Sequence, residues 1–260
     1  MTTNTQAVKV GVVGAAGRMG RAVCAAVAAD AELELVAAVD PGAIGEALHG
    51  VIVGGELKGF VDAGAQVVVD FTVASASRQT LPWLAIHGIH GVVGTTGLSD
   101  DDIETFRAAF IGSNCLIASN FTISAVLMMR FAEMAAPYFD SAEIVEMHHN
   151  HKVDAPSGTA VSTAKRMAAA SAKWAADPTE HEVYAGARGG KGPADIRIHS
   201  LRITGMQAHQ EVILGAKGQT LTIRQDSYDS SSYMPGVLLG CQRVASHPGL
   251  TVGLDSFLDL

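Results

Sequence analysis

Basic residues are scarce in this chain. Its 260 residues include 18 lysines and arginines against 26 aspartates and glutamates, a formal net charge of −8. This balance argues against a nucleic-acid-binding protein, because contacts with phosphate groups need clustered Lys and Arg side chains. An anionic ligand would need positive partners that are gathered locally.

Cysteines and long apolar runs are also few. Cys24, Cys115 and Cys241 are an odd number, widely spaced, and form neither a Cys-x-x-Cys motif nor a disulfide framework, so we expect them to be reduced. No run of about 18 apolar residues could span a bilayer, and the polar residues 1–6 lack the basic and apolar parts of a signal peptide. We therefore expect a cytoplasmic protein without membrane contact.

The first 120 residues alternate between strand-like and helix-like patterns. Residues 8–13 are a β-branched run, residues 18–29 are helical in composition, and residues 33–39 are again apolar. Further strands are predicted at 66–70, 91–94 and 115–118, with helices at 74–87 and from 99 onward. This alternation predicts an α/β fold with a Rossmann-type, doubly wound parallel sheet.

The pattern changes beyond residue 178. Short strands at 196–202, 210–215 and 220–224 have no long helices between them, which favours an antiparallel or mixed sheet. A glycine-rich segment at 185–193 is interpreted either as a mobile lid or as a plain surface loop. A helix at 234–245 is expected to return to the first domain. We therefore predict a dinucleotide-binding domain of residues 1–121 and 232–260, and an α+β domain of residues 122–231 with an open mixed sheet.

A glycine-rich turn joins the first predicted strand to the first helix. Gly14, Gly17 and Gly20 have the spacing G-x-x-G-x-x-G, which differs from the common dinucleotide motif G-x-G-x-x-G. Such glycines let backbone N–H groups approach a pyrophosphate at the start of a helix. Asp40 ends the second strand, where a carboxylate can accept hydrogen bonds from an adenosine ribose; its alternative is a turn residue before Pro41.

Two further segments follow predicted strands. They are Gly94-Thr95-Thr96-Gly97 and Ala118-Ser119-Asn120-Phe121. Both should lie at the carboxyl edge of the parallel sheet, where ligands bind in such folds. From the pattern alone, a ligand-binding edge and ordinary loops fit them equally well.

The densest cluster of ionisable groups lies at residues 146–154. It contains three histidines, a lysine and two carboxylates, and it fits a metal site, an exposed polar loop or a proton-donating site. The histidine spacing matches no structural zinc motif and no H-x-x-x-H pair, so no metal is expected. Lys152 favours the proton-donating site, because protonated histidines and partial burial would destabilise its ammonium group. The following Ser157-Gly158-Thr159 turn offers N–H groups that suit a carboxylate.

The run Glu146-x-His148-His149-x-x-Lys152-x-Asp154-Ala155-Pro156-Ser157-Gly158-Thr159-Ala160 closely resembles the signature of the dihydrodipicolinate reductase family. The resemblance continues through the glycine turn, Asp70-Phe71-Thr72, Gly94-Thr95-Thr96-Gly97, Asn120-Phe121, His209-Gln210-Glu211 and Pro235-Gly236. It implies an enzyme of lysine and diaminopimelate biosynthesis. The enzyme would pass a hydride from NADH or NADPH to the cyclic dicarboxylate formed from 4-hydroxy-tetrahydrodipicolinate, and protonation would complete tetrahydrodipicolinate.

The resemblance also implies roles for individual residues. His148 would be the acid/base residue and Lys152 the proton donor, while His149, Gly158 and Thr159 would bind the substrate carboxylates. The cofactor would be bound by Gly14, Ala15, Ala16, Gly17, Arg18 and Met19 at the pyrophosphate, by Asp40 at the ribose, and by Gly94, Thr95, Thr96, Ala118, Ser119, Asn120 and Phe121 at the nicotinamide half. The second domain would bind substrate and assemble a homotetramer through its sheet. Asp154 has no implied role and is interpreted as a local cap of the following turn.

Pro41 departs from the family pattern. Many relatives have Arg after the ribose acid, and Pro41 removes that partner for the 2′-phosphate of NADPH. We therefore predict that NADH is used at least as well as NADPH, although Arg18 could still reach a 2′-phosphate.

Three other protein classes fit less well. A short-chain dehydrogenase needs Tyr-x-x-x-Lys, and no tyrosine of this chain has a lysine four residues later. An aspartate-semialdehyde-type dehydrogenase needs a nucleophilic cysteine at a helix start, whereas Cys115 lies in an apolar strand. A non-catalytic nucleotide sensor would not need His148 and Lys152 together.

Overall fold

The computed structural model describes residues 7–259, so the polar start at residues 1–6 lies outside the described residues. The chain divides into two compact units. The first unit comprises the chain up to Phe121 together with the segment that begins at Ser230, and the second unit is Thr122–Asp229. Within residues 7–259, no helix is both long enough and apolar enough to cross a membrane.

The chain up to Phe121 alternates strands with helices. The strands are β1 (Val8–Val13), β2 (Leu33–Val39), β3 (Ala47–Leu48), β4 (Val51–Gly54), β5 (Val67–Asp70), β6 (His90–Val93) and β7 (Cys115–Ile117). The helices are α1 (Arg18–Ala29), α2 (Lys58–Asp62), α3 (Ala74–Ile86) and α4 (Asp100–Ala109). The elements predicted for this part are present, with ends shifted by about one residue, whereas α2, β3 and β4 were not predicted.

The second unit contains one mixed sheet and two long helices. Its elements are α5 (Ile123–Ala135), β8 (Ser141–His148), α6 (Gly158–Ala170), β9 (Gly190–Lys191), β10 (Arg197–Arg202), β11 (Ala208–Ala216) and β12 (Gln219–Ser227). The strand order is β12-β11-β8-β10-β9. β8 and β10 run parallel and the other neighbours run antiparallel, so the predicted mixed sheet is confirmed.

The two faces of this sheet differ. Ile144 and Glu146 of β8 are buried on one face, and α6 lies on that face because Thr163 accepts a hydrogen bond from Gln210 of β11. Glu143 points to the opposite face, where it pairs with Arg188 and His199. Arg188 lies in the glycine-rich segment at 185–193. That segment is therefore held to the sheet by an ion pair, and it also contributes the edge strand β9.

Beyond Ser230 the chain rejoins the first unit through α7 (Met234–Arg243) and β13 (Leu250–Val252). The completed sheet has the order β13-β7-β6-β5-β1-β2-β4-β3 and is parallel except for the pair β3 and β4. The predicted Rossmann-type sheet is thus confirmed. The chain moves outward from β1 to β2 and later returns to β5 on the other side of β1. The carboxyl ends of β1 and β5 therefore form the switch point at which such folds bind ligands.

The three cysteines are buried and form no disulfide, as predicted. Burial raises the pKa of the Cys24 thiol to about 11 and that of Cys241 to about 12. Their thiols therefore stay protonated near neutral pH and pack as small apolar groups.

Candidate active site

The turn between β1 and α1 leaves backbone N–H groups at a helix start. Gly14 has a φ of +68°, which favours glycine, and its N–H donates to the carbonyl of Val39 at 2.8 Å. Gly17 is the N-cap of α1, and no side chain caps the helix there. Gly17 and Arg18 are exposed, and Met19 is half-buried. The first N–H groups of α1 thus lack a capping side chain, and this fits a pyrophosphate.

Gly20 lets α1 pack closely against the turn. A Cβ atom at this position would lie 2.1 Å from the carbonyl oxygen of Gly14 and 2.7 Å from the Cα of Ala15. Both distances are far shorter than any normal contact, and the atoms involved belong to the backbone. The third glycine therefore serves helix packing, as expected for a dinucleotide-binding turn.

Asp40 is joined directly to the glycine turn. Its Oδ2 accepts a hydrogen bond from the N–H of Ala16 at 3.0 Å, and its Oδ1 accepts one from Gly42 at 2.9 Å. Asp40 is therefore a turn residue, one of the two interpretations left open by the sequence. Its carboxylate oxygens keep further lone pairs, so a ribose hydroxyl could also bind there.

Asp70, at the end of β5, connects two loops at the carboxyl edge of the sheet. It is completely buried, and its carboxylate accepts hydrogen bonds from the N–H and hydroxyl of Thr72 and from the hydroxyls of Ser77 and Thr95. The Thr95 hydroxyl lies 3.0 Å from Asp70 Oδ1 and is buried, whereas Thr96 is exposed. The two neighbouring threonines therefore have different surroundings, which their spacing could not show.

The segments that follow β6 and β7 lie side by side. The N–H of Ala118 donates to the carbonyl of Val93 at 3.0 Å. The Phe71 and Phe121 rings are 5.5 Å apart, and a Cβ atom on Gly94 would lie 2.0 Å from the Phe71 ring. Residues 94–96 and 118–121 are thus brought together at one edge, with Ser119 and Thr96 exposed there.

In the second unit, His148 ends β8 beside a buried carboxylate. Its Nδ1 lies 2.5 Å from Oε2 of Glu146, whose side chain is completely buried. The Nη1 and Nη2 atoms of Arg202 donate hydrogen bonds to the same carboxylate at 3.0 and 2.9 Å. Burial raises the pKa of Glu146, but the hydrogen bonds from His148 and Arg202 outweigh burial and hold the pKa at about 2. Glu146 is therefore ionised near neutral pH.

Lys152 has a carboxylate as its close partner. Its Nζ lies 2.8 Å from both carboxylate oxygens of Asp154. The prediction that Asp154 caps the following turn thus gives way to an ion pair, and these hydrogen bonds lower the pKa of Asp154. This pairing was not predicted, because a spacing of two residues does not by itself bring two side chains together. The Lys152 side chain is 20% exposed and that of Asp154 60%, so solvent screens the pair.

The start of α6 differs in one respect from the predicted carboxylate-binding turn. The N–H of Ser157 donates to Glu146 at 3.2 Å, and the Ser157 hydroxyl accepts from Ala160, so Ser157 is committed to the protein. Gly158 is exposed, and nothing lies within 4 Å of a Cβ atom placed on it. The helix start therefore faces open space at Gly158, and Thr159 beside it is half-buried.

His149 and His151 lie near each other, with ring centroids 6.2 Å apart. The Nδ1 atom of His149 is buried and has no hydrogen-bond partner among the described residues. No group of three possible metal ligands is found in residues 7–259.

Family models match both units. The model described as "Dihydrodipicolinate reductase, N-terminus" matches residues 8–121, and the model described as "Dihydrodipicolinate reductase, C-terminus" matches residues 124–258. The chain belongs to the dihydrodipicolinate reductase family. The prediction from the signature at 146–160 is confirmed, and with it an oxidoreductase that uses a nicotinamide cofactor.

Individual members of the dihydrodipicolinate reductase family are similar to this chain over nearly its whole length. The 4-hydroxy-tetrahydrodipicolinate reductases of Corynebacterium aurimucosum and Nocardia farcinica are each 48% identical, over 97% of this chain and 99% of theirs. Among solved structures, the dipicolinate-bound dihydrodipicolinate reductase from Paenisporosarcina sp. TG-14 is 34% identical with a TM-score of 0.88. That match covers 96% of this chain and 99% of that one.

Several residues of the site were not recognised from the sequence. The structure adds Glu146, Arg202 and Asp154, which contact the predicted His148 and Lys152 or the start of α6. A signal for Glu146 was present, because it falls in the buried phase of β8 together with Ala142 and Ile144. Arg202 had none, since it is distant in sequence and meets Glu146 only through the pairing of β10 with β8.

Proposed function

We propose that this chain reduces the cyclic dicarboxylate formed from 4-hydroxy-tetrahydrodipicolinate to tetrahydrodipicolinate, with NADH or NADPH as the reductant. The observation that carries the proposal is the folding of the 146–160 signature. It forms one cluster that contains an imidazole, an ammonium group and an open helix start, all linked through Glu146 and Arg202.

The first unit would hold the cofactor. Residues 14–19 would bind the pyrophosphate with the backbone N–H groups at the start of α1, and Asp40 would bind the ribose while ordering the turn. Residues 94–96 and 118–121 would hold the nicotinamide half at the carboxyl edge. When bound, the reduced nicotinamide supplies a hydride.

The second unit would hold the substrate. The relative from Paenisporosarcina was solved with dipicolinate, a planar dicarboxylate. In this chain the N–H groups of Gly158 and Thr159, at the open start of α6, would bind one carboxylate. His149, next to His148, would bind the substrate as well. A small anionic dicarboxylate is therefore the proposed partner of this unit.

Lys152 and His148 would supply the proton. Lys152 carries three N–H donors, and its hydrogen bonds to Asp154 leave capacity for a substrate atom. The Nδ1 atom of His148 carries the proton shared with Glu146, because an ionised carboxylate can only accept. The other ring nitrogen, Nε2, is then the one that exchanges a proton with the substrate as acid/base residue.

The activity is tested by following the loss of nicotinamide absorbance while substrate is formed in situ from pyruvate and aspartate semialdehyde by a separate synthase. We expect oxidation of the cofactor that depends on this enzyme and on both precursors. Absence of turnover with both NADH and NADPH would overturn the proposed function.

The cofactor preference follows from Pro41, which is exposed next to Asp40. A proline offers no cation to the 2′-phosphate of NADPH, so we propose that kcat/KM with NADH at least equals that with NADPH. The variant Pro41→Arg should raise kcat/KM for NADPH relative to NADH. A wild-type enzyme that strongly prefers NADPH would contradict this assignment and indicate a role for Arg18.

Assembly and location complete the proposal. We propose a homotetramer formed through the face of the second sheet that carries Glu143, because the long helix α6 lies on the opposite face. Light scattering coupled to gel filtration tests this, and a monomer would contradict it. The reduced cysteines and the nicotinamide-dependent biosynthetic reaction support a cytoplasmic location.

A further inference from the structure

Glu146 is not among the residues proposed to bind substrate or transfer a proton to it, yet its carboxylate is a centre of hydrogen bonds. Its two oxygens bind His148, the Nη1 and Nη2 atoms of Arg202 and the N–H of Ser157. The side chain is completely buried. Removing a carboxylate from water is costly, and a buried ion pair is often replaceable by apolar residues without loss of stability. Its presence therefore calls for a function other than stability.

The contacts of Glu146 reach every part of the proposed substrate site. On β8 it holds the His148 ring through Nδ1. At Ser157 it anchors the residue that caps α6 and precedes the open helix start. Through Arg202, whose guanidinium also donates to the backbone carbonyl of Asp154 at 2.6 Å, it fixes the loop that carries Lys152. One carboxylate thus connects the acid/base residue, the carboxylate-binding N–H groups and the proton donor.

We infer that Glu146 is a positioning residue, which together with Arg202 fixes the tautomer and orientation of His148 and the placement of the 149–157 loop for catalysis. The inference rests on the proposed function for its kinetic consequences. The tautomer of the His148 ring can be measured without any turnover. Glu146 would act through His148 and need not touch the substrate.

A matched control lies on the same strand. Glu143 also pairs with a histidine and an arginine, His199 and Arg188, but on the opposite face of the sheet. Glu143→Gln therefore removes a histidine- and arginine-paired carboxylate from β8 outside the proposed substrate site. Effects that follow from loss of a Glu–His–Arg cluster in general should appear in both variants.

The first measurement is ¹⁵N NMR of the histidine rings, with the His148 signal assigned from its absence in His148→Gln. In the wild type we expect the neutral ring to carry its proton on Nδ1, and in Glu146→Gln we expect a mixture of tautomers or the Nε2–H form. Glu143→Gln should leave the His148 signal unchanged. An unaltered Nδ1–H tautomer in Glu146→Gln would overturn the inference, whether or not the enzyme turns over.

The second measurement is a double-mutant cycle on kcat. We expect Glu146→Gln to lower kcat about 10- to 100-fold, less than the roughly 10²–10⁴-fold that a proton-transfer group itself supplies. In a His148→Gln background the same change should lower kcat much less, because the part of its effect that passes through that ring is already lost. Fully additive losses would show a general structural role and contradict the inference. Wild-type enzyme without turnover would instead refute the proposed function and leave the tautomer result to decide on Glu146.

A third variant covers the case in which Glu146→Gln does not fold, as judged by circular dichroism. Arg202→Lys keeps the positive charge but loses the planar fork that binds Glu146 and reaches Asp154 at once. We expect a folded protein in which kcat falls and KM for the substrate rises, each about 3- to 10-fold, and dipicolinate binds more weakly by a similar factor. Unchanged KM and dipicolinate affinity would overturn the role of Arg202.

Discussion

Two carboxylates accompany the two proposed proton-transfer residues, and they differ in burial. Glu146 is completely buried beside His148, whereas the Asp154 side chain is 60% exposed beside Lys152. A buried, fully hydrogen-bonded carboxylate fixes its partner, while an exposed ion pair is weak and screened by solvent. His148 is therefore held in place, and Lys152 is free to exchange Asp154 for a ligand.

Replacement of Lys152 by Ala should remove the proton donor and leave the cofactor site intact. We expect kcat to fall by roughly 10²–10⁴-fold with little change in the Kd of NADH, because the proposed cofactor site lies in the first unit and Lys152 in the second. Steady-state kinetics and fluorescence titration with NADH measure the two quantities. Lys165→Ala, at an exposed position of α6, is the control, and its kcat should equal that of the wild type. A near-normal kcat for Lys152→Ala would refute the assigned role.

Replacement of Asp154 by Asn should strengthen the binding of a dicarboxylate. Asp154 binds the Lys152 ammonium at 2.8 Å, so a carboxylate of the proposed substrate would compete with it for this group. An exposed pair is worth about 0.2–1 kcal/mol, so the gain in dipicolinate affinity should be about 1.4- to 5-fold by calorimetry. Asp62→Asn, which removes the similar exposed pair of Lys58 and Asp62 on α2, should leave the affinity unchanged. Weaker binding in Asp154→Asn would show that Asp154 helps to hold the ligand.

The order of secondary structure elements was largely predictable, but their side-chain partners were not. Strands β1, β2 and β5 follow from apolar runs between turn residues, and the glycine turn follows from its place between β1 and α1. The strands β3 and β4 are too short to show a clear alternation of apolar and polar residues, and the neighbouring Gly50 and Gly55 are more typical of turns than of strands. Contacts such as Glu146 with Arg202 depend on strand register, which a sequence pattern does not give.

The close packing of α1 on the glycine turn makes a further prediction. In Gly20→Ala the new Cβ would collide with the Gly14 carbonyl, so the turn must shift. We expect a loss of about 1–3 kcal/mol in the free energy of unfolding, together with weaker NADH binding. Gly112→Ala places its Cβ in open space and is the control, with stability unchanged or slightly raised. An unchanged NADH affinity in Gly20→Ala would show that the shape of the glycine turn does not determine cofactor binding.

Over the whole chain, acidic residues outnumber basic ones, and the charges of the proposed substrate site are nearly balanced. Arg202 and Lys152 are offset by Glu146 and Asp154. These four side chains thus carry no net charge together, within a protein of net charge −8. The open helix start at Gly158 adds partial positive charge without another side chain.

Stability should fall in acid over a defined range of pH. Glu146 has a folded-state pKa of about 2 against an ordinary 4.5, so its contribution is complete above about pH 4.5 and is lost as the pH falls through about 2. At about 1.4 kcal/mol per pKa unit, the difference between 4.5 and about 2 corresponds to roughly 3–4 kcal/mol. The pKa values of Glu143 and Asp177 are also lowered, which adds to the same trend.

Urea unfolding of a Trp83→Phe background, followed by the fluorescence of Trp174, reports on the second unit alone. We compare the urea midpoint of the Trp83→Phe protein with that of the same protein carrying Glu146→Gln. The difference between the two midpoints should be largest near neutral pH and should shrink between about pH 4.5 and 2. A difference that stays constant over this range would mean that Glu146 is not ionised in the folded protein.

The most direct test of the proposed reaction is isotope transfer from the cofactor to the product. Enzyme, NADH that carries deuterium at both C4 positions of the nicotinamide and substrate formed in situ are mixed, and the tetrahydrodipicolinate is analysed by mass spectrometry. We predict that deuterium appears on a carbon of the product, and that Lys152→Ala slows its appearance without changing where it is found. Consumption of NADH with no deuterium in the product would contradict hydride transfer to this dicarboxylate.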